Sequence, residues 1–446
     1  YVKINEEYVI KDKIMKKVFI GMSADVFHHG HVNIISEAKK YGDVIVGLLN
    51  DKAVAGHKRL PYLNWENRKK IIENIKGVTE VFEQSEWDYA PTILKYKPDY
   101  MVHGTDWLKG PLAPYRDLAI KALESYGGKL IEVEYTKNVS STDLFLNQTN
   151  LGTTPDIRKA TLKRLLDAKD MIRVMEAHNP LSALILENLV VKQKGKSEQF
   201  DGFWSSSLTD STSQGKPDIE ALEINNRLSN INNIFDVTTK PLIMDGDTGG
   251  KIEHFELNVR SMERLGISAV IIEDKKGLKK NSLFGNEVKQ EQETKDYFAK
   301  KIEAGRASRV SENFMIIARI ESLILEKGID DAIERANTYI DSGVDGIMIH
   351  SKNDTPDEIF EFSKKFRKNH KFIPLVSVPS TYNNVTEDEL IKNGFNIVIY
   401  ANQMLRAAYP AMHKVAESIL KNGRSLEVDK DLIKIKKILE LIPGTK

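Results

Sequence analysis

The strongest constraint on this chain is a recurrence: eight short apolar runs return between Arg173 and Tyr400, separated by segments with helical patterning. They are Arg173 to Ala177, Phe200 to Ser205, Pro241 to Met244, Ala269 to Ile272, Phe314 to Ala318, Gly346 to Ile349, Phe372 to Val378 and Ile397 to Tyr400. Eight strands alternating with helices over about 250 residues match the arithmetic of a (β/α)8 barrel. Polar residues follow the strand ends: Asp245 and Asp247, Glu273, Arg319 and Glu321, His350. In such barrels that rim carries the active site.

A second α/β unit precedes the barrel. Apolar runs at Val18 to Met22, Val44 to Leu49, Tyr100 to His103 and Leu130 to Val133 alternate with helical patterns such as Asn64 to Ile75. This alternation predicts a doubly wound, Rossmann-like parallel sheet with helices on both faces. Asn64 suits an N-cap, and Gly42 suits the stop of a helix beginning near His31. The stretch Asn147 to Pro155 has no apolar periodicity, which places the boundary there, followed by a helix from Asp156 to Lys169. The expected division is residues 1–14 as an extension, 15–146 as the first domain, 147–169 as linker and helix, and 170–446 as the barrel with its C-terminal helices.

Composition narrows the function classes. A net charge of +1 among 446 residues gives no bulk attraction to nucleic acid or anionic membrane, so any phosphate site must be local. With no cysteine, disulfides and thiolate-ligated zinc are excluded. No apolar run approaches the ~18 residues of a membrane span, and the expectation is a soluble, cytoplasmic protein acting on small molecules.

The run Glu273 to Ser282, EDKKGLKKNS, follows a strand directly. Carboxylates leaving a buried strand suit Mg²⁺, while lysine, asparagine and serine donate to phosphoryl oxygens. Charge alone also allows a solvated, lysine-rich loop. In its order the run resembles the EDKxGxKxNS signature of phosphoenolpyruvate mutases in the isocitrate lyase superfamily. MEAHNPLSA (Met175 to Ala183), FWSSSL (Phe203 to Leu208), MDGDTGG (Met244 to Gly250), ARIES (Ala318 to Ser322), MIHSK (Met348 to Lys352) and YANQMLRA (Tyr400 to Ala407) occur in the family's order. The resemblance implies Mg²⁺ held by Asp245, Asp247 and Glu273, directly or through water. It implies substrate binding by Trp204, Ser206, Ser207 and Ser282. Arg319, His350 and Asn281 would hold the migrating phosphoryl group, with Asp218 near the reacting centre and Lys279 on a closing loop. Structural roles stay open for several: a rim ion pair for Arg319 and Glu321, a satisfied barrel histidine for His350, an N-cap for Asp218. The superfamily's lyases commonly use a loop cysteine, which is missing here; phosphonopyruvate hydrolases remain the alternative.

The first domain carries His28-His29-Gly30-His31 at a strand-to-helix junction. A helix N-terminus with imidazoles suits a triphosphate, although a zinc cluster or a surface accident would also fit these residues. The motif resembles the HxGH nucleotidyltransferases, among them glycerol-3-phosphate and phosphocholine cytidylyltransferases. This resemblance implies catalytic roles for His28, His31 and Lys58. It also implies nucleotide or substrate contacts from Gly21, Met22, His103, Asp106, Trp107, Ser140, Ser141 and Thr142. In the last motif Tyr135 replaces the usual arginine. The two units together resemble bifunctional mutase–cytidylyltransferases of phosphonate biosynthesis, the fosfomycin-pathway type. The expected activities are interconversion of phosphoenolpyruvate and phosphonopyruvate, and CMP transfer from CTP, with Mg²⁺, to a phosphonate such as 2-hydroxyethylphosphonate. A non-catalytic first domain is the alternative. The family resemblance further implies a homo-oligomer with an exchanged helix near Gln403 to Leu420.

Overall fold

A computed structural model describes residues 16–108, 112–134, 152–193 and 196–442. The first unit is a five-stranded parallel sheet of β1 (Lys17–Met22), β2 (Asp43–Leu49), β3 (Val78–Gln84), β4 (Tyr100–Gly104) and β5 (Lys129–Val133), ordered β3-β2-β1-β4-β5. Its central strand is buried on both faces, as side chains of period two require. Val18, Ile20 and Met22 enter one core layer with Val46 and Leu48, while Phe19 enters the other with Ile45 and Met101.

The second unit is a closed parallel barrel. After a hairpin of β7 (Val191–Gln193) and β8 (Lys196–Glu198), which follows β6 (Ile172–Glu176), come β9 (Gly202–Ser205), β10 (Leu242–Asp245), β11 (Ala269–Glu273), β12 (Met315–Ile320), β13 (Gly346–Ile349), β14 (Leu375–Ser377) and β15 (Ile397–Tyr400). Strand β15 pairs with β6, closing the ring. All eight expected barrel strands are present. Alternate residues fill the interior: Ala269 and Ile271 face Met315, Ile317 and Val376, whereas Val270 and Ile272 pack outward against the helices. Leu162 and Leu165, from the helix Pro155–Ala168, join the interior cluster. On the same helix, the buried Arg158 donates to the carbonyls of Thr238 and Lys240, ahead of β10. The helix therefore closes the barrel end opposite the rim.

Two elements escape the sequence pattern and one expectation needs correction. Strand β3 was not legible, because VTEVFEQ is a half-polar edge strand with Thr79 and Glu80 exposed. The β7–β8 hairpin was likewise unforeseen. Gly42 does not stop the first helix, which runs His29–Ala38 with Lys39 at its C-cap. Gly42 instead lets the chain pass Lys16, whose carbonyl oxygen would lie 1.9 Å from any Cβ there. Asn64 does cap Trp65–Glu73, its side chain accepting from Asn67 N. The 1–14 extension and most of the expected linker lie outside the described residues. The helix Gln403–Asn422 buries none of its residues and exposes Tyr409, Met412 and Leu420. Among the described residues, no helix is long and apolar enough to cross a membrane.

Candidate active sites

Register builds the barrel site. Glu273 ends β11 directly beside Arg319 of β12, and Arg319 sits beside Met348 of β13, two residues before His350. Asp245 ends β10, and Asp247 follows in a left-handed turn at φ 53°. Such strain in a non-glycine residue concentrates at functional turns.

Two cation-centred clusters meet there. In the first, Lys279 Nζ lies 2.8 Å from Asp247 Oδ1, 3.4 Å from Asp218 Oδ1 and 3.5 Å from Asp245 Oδ2, and also donates to Ser207 Oγ. Burial opposes its charge, but the surrounding carboxylates raise its pKa well above the ordinary lysine value. Burial likewise opposes ionisation of Asp245, yet Lys279, Arg227 and Arg319 hold that carboxyl well below the usual carboxylate range. In the second cluster, Arg319 donates to Glu321 Oε1 at 2.5 Å and to Ser282 Oγ at 2.5 Å, and its Nη1 lies 3.4 Å from Glu273. Lys275 joins Ser282 at 2.7 Å and Glu321 at 3.0 Å. The rim ion pair of Arg319 and Glu321 is thus real, and it lies against the cavity.

A narrow cavity of about 60 Å³ separates these clusters, lined by Trp204, Ser206, Ser207, Asp218, Asn281 and His350 among others. Asn281 Nδ2 donates to Asp218 Oδ2 at 3.0 Å, so Asp218 is a loop partner of Asn281 rather than an N-cap. Buried His350 has no hydrogen-bond partner for Nδ1. Burial first, then Arg319, lower its pKa to about 3, so it is neutral. The loop after Glu273 has little apolar anchoring, with Leu278, Leu283 and Phe284 exposed, but Lys275, Lys279 and Ser282 pin it through buried polar contacts.

Sequence reasoning missed Arg227. Its buried guanidinium donates to Asp210, to the Asp245 carbonyl at 2.5 Å, to Asp247 at 3.3 Å and to the Ser205 carbonyl. Nothing in INNRLSNINNIF marks this arginine as buried. Lys275 was legible only as a fixed position of the loop signature.

In the first domain, His28 is the N-cap of His29–Ala38. Its Nδ1 accepts from Gly30 N at 3.1 Å, and His31 Nδ1 accepts from His28 N at 3.3 Å. With Nδ1 acting as acceptor, each neutral ring carries its proton on Nε2. Burial, then His28, lower the His31 pKa to about 3; burial, then His29, lower that of His28. Lys58 donates to Ser23 Oγ at 3.2 Å and lies 5.6 Å from the centre of the Trp87 ring. Burial, then Arg59, lower its pKa, a charge cost that an incoming anion would relieve. His103 stacks on Trp107 at 3.7 Å and lies 3.6 Å from Asp106. Trp107 is buried and donates to Glu132, which gives it a supporting place. Gly21 and Met22 end β1 beside this group, and Gly21 has no room for a side chain against Tyr89. Ser140, Ser141 and Thr142 lie outside the described residues.

The neutral imidazoles carry an acid-stability consequence. Below the ordinary value of 6.5 the unfolded chain takes protons that folded His31 and His350 refuse until about pH 3, so stability falls as pH drops through this window. Denaturant midpoints should decrease from pH 7 to pH 4.5, and His350→Asn should reduce the slope; an unchanged slope would argue against a neutral His350.

A parallel barrel with carboxylates and fixed cations at its rim, joined to a sheet with a histidine-capped helix, defines a two-domain enzyme of phosphoryl-group chemistry. The chain belongs to the phosphoenolpyruvate phosphomutase family, whose model matches residues 162–420, and a cytidylyltransferase-like model matches residues 19–145. The phosphoenolpyruvate phosphomutase of Tetrahymena pyriformis is 33% identical over 286 residues, 64% of this chain and 91% of that protein. The crystal structure of phosphoenolpyruvate phosphomutase from Streptomyces platensis subsp. rosaceus matches with a TM-score of 0.59 at 35% identity, covering 64% of this chain and 94% of that one. A phosphonopyruvate hydrolase complex with oxalate and Mg²⁺ matches with a TM-score of 0.56, also at 35% identity, covering 65% and 95%.

Proposed function

We propose that the barrel interconverts phosphoenolpyruvate and phosphonopyruvate with Mg²⁺, and that the first domain transfers CMP from CTP to a small phosphonate, 2-hydroxyethylphosphonate being the expected acceptor. The observation that carries the barrel reading is the meeting of Arg319, Ser282, Asn281 and His350 around one narrow cavity. In the forward direction the bridging P–O bond breaks and its electron pair stays on the pyruvate enolate. C3 of the enolate then forms the P–C bond. A loose, metaphosphate-like transition state needs positioning and spread positive charge. Arg319 supplies that charge, Asn281 and His350 hold phosphoryl oxygens, and Ser206 and Ser207 hold the carboxylate end. The pinned loop keeps water from intercepting the phosphoryl group.

The donor set fits Mg²⁺. Among the described residues no ready-made metal cluster exists, because Lys279 Nζ stands as the counter-cation of Asp245, Asp247 and Asp218. Both buried Glu273 oxygens and Asp218 Oδ1 lack hydrogen-bond partners. Burial raises the Glu273 pKa to about 7 despite Lys275 and Arg319, a cost that a divalent cation would remove. Asp245, Asp247 and Glu273 would hold the ion, which would polarise the carboxylate and enolate oxygens. Lys279→Gln should therefore destabilise the metal-free chain by about 3–5 kcal/mol, as for a broken buried ion pair. Added Mg²⁺ should restore part of that loss in thermal melts. Equal melting of both proteins without metal would refute the role of Lys279 as internal cation.

A hydrolase is the second reading, favoured by the equal identity to the hydrolase and mutase structures. Turnover in ¹⁸O-water separates them: a mutase yields phosphoenolpyruvate whose three non-bridging phosphoryl oxygens carry no label, a hydrolase labelled phosphate. For the first domain, the Nε2–H tautomers of His28 and His31 and the buried Lys58 support in-line attack by a phosphonate oxygen on the α-phosphorus of CTP. These groups would stabilise the charge that develops on the α-phosphate and pyrophosphate. Incubation with CTP, Mg²⁺ and a phosphonate panel should release pyrophosphate and form a CMP adduct. Absence of any adduct would favour a non-catalytic nucleotide-binding domain. The uncovered Gln403–Asn422 helix supports pairing of copies, which sedimentation would measure.

A further inference from the structure

The barrel unit meets the first domain at two neighbouring segments, the helix Asp51–Ala55, where Lys52 lies 3.3 Å from Asp170, and His57–Tyr62, which carries Lys58. Ser197 N of the β7–β8 hairpin donates to the His57 carbonyl at 3.3 Å. Leu60 packs against the barrel cluster that contains Leu162 and Leu165. Arg164, on the helix Pro155–Ala168, donates Nη2 to the Pro61 carbonyl at 2.7 Å and Nη1 to the Tyr62 carbonyl at 2.8 Å. Its Nη2 also lies 3.5 Å from Asp51 Oδ2.

On the opposite side the same segment is fastened to the loop before the histidine motif. Asp25 Oδ1 accepts from Tyr62 N at 2.8 Å, and Asp25 Oδ2 lies 2.8 Å from Arg59. Asp51 pairs with buried Arg68 at 2.6 Å, and Arg68 donates to the carbonyls of Ser23 and Leu63. Ser23 in turn accepts the Lys58 ammonium. An unbroken set of contacts therefore runs from the barrel helix through Arg164 to the backbone on which Lys58 stands. Besides the local bonds from His57 N and Lys58 N to the Val54 carbonyl, these contacts hold the segment in place.

We propose that Arg164 is a positioning residue for nucleotidyl transfer: the helix that closes the barrel seats the Lys58 segment, so the first domain's site is incomplete without the barrel unit. The inference rests on the nucleotidyltransferase reading and gives the fusion a structural purpose that requires no passage of substrate between the sites. Among the described residues Arg164 contacts Asp51, Pro61 and Tyr62 and none of the barrel rim, so its effect is confined to one of the two reactions.

The test uses the full chain and measures CTP affinity by titration calorimetry for four proteins: unsubstituted, Arg164→Met, Lys58→Met and the double variant. CTP-dependent pyrophosphate release and phosphonopyruvate turnover are measured on the same preparations. Arg164→Met should lower kcat/KM for CTP on the order of 10²-fold, the size expected when a group far from the chemistry displaces a reacting one. Phosphonopyruvate turnover should stay unchanged, and Arg164→Lys should recover part of the loss. In the Lys58→Met background, Arg164→Met should weaken CTP binding no further, because its effect passes through Lys58. Unchanged CTP kinetics in Arg164→Met, or a full additional loss in the double variant, would overturn the proposal. If the unsubstituted chain neither binds CTP nor releases pyrophosphate, the transferase reading itself fails, and this inference with it.

Discussion

Replacing Arg319 with methionine is expected to lower phosphonopyruvate turnover by about 10³–10⁵-fold, the range seen for arginines that stabilise a transferring phosphoryl group. The size follows from its position. Arg319, like Lys275, touches both Ser282 of the loop and Glu273 of the expected metal set, and of the two it is Arg319 that lines the cavity. Burial opposes its charge, but Glu321, Glu273 and Asp245 raise its pKa, so it is always protonated. Removing it leaves buried Glu321 with Lys275 alone as counter-cation, at 3.0 Å, so the stability loss should stay below the about 3–5 kcal/mol of a fully broken buried pair. Arg319→Lys keeps the charge but loses the fork that spans Glu321 and Ser282, and should fall between the two. Retained CTP turnover in the same preparation would show that the chain is folded. Turnover within tenfold of the unsubstituted chain would remove Arg319 from the reacting group.

The second large effect is expected in the other domain. His31→Asn keeps a side-chain acceptor for His28 N but deletes the Nε2–H donor. Loss of one preorganised donor at a developing charge costs about 10²–10³-fold. CMP transfer should drop by that factor, with mutase activity unchanged. A loss in both reactions would contradict independent sites.

Much of this was legible in the sequence, for physical reasons that differ by residue. The barrel strands showed because strands covered on both faces must be apolar, and the rim carboxylates showed because they interrupt those runs. Strand β3 did not show, because an edge strand half-exposed to water needs no such run. Arg227 did not, because an arginine on a polar helix carries no mark of burial until Asp210 and Asp245 are folded against it. Lys279 was read as a loop residue, but its place among three carboxylates depends on elements up to 61 residues away along the chain (Asp218 to Lys279). The seat of the Lys58 segment on Arg164 depends on how the two units pack, which no local pattern encodes.

That the closed loop keeps the migrating phosphoryl group between C3 and the enolate oxygen and away from water is tested most directly by phosphorus NMR of the full chain with Mg²⁺ and phosphonopyruvate. The expected result is a phosphoenolpyruvate resonance growing as the phosphonate signal falls, and its loss on adding EDTA. Inorganic phosphate as the first product, with pyruvate in equal amount, would contradict it.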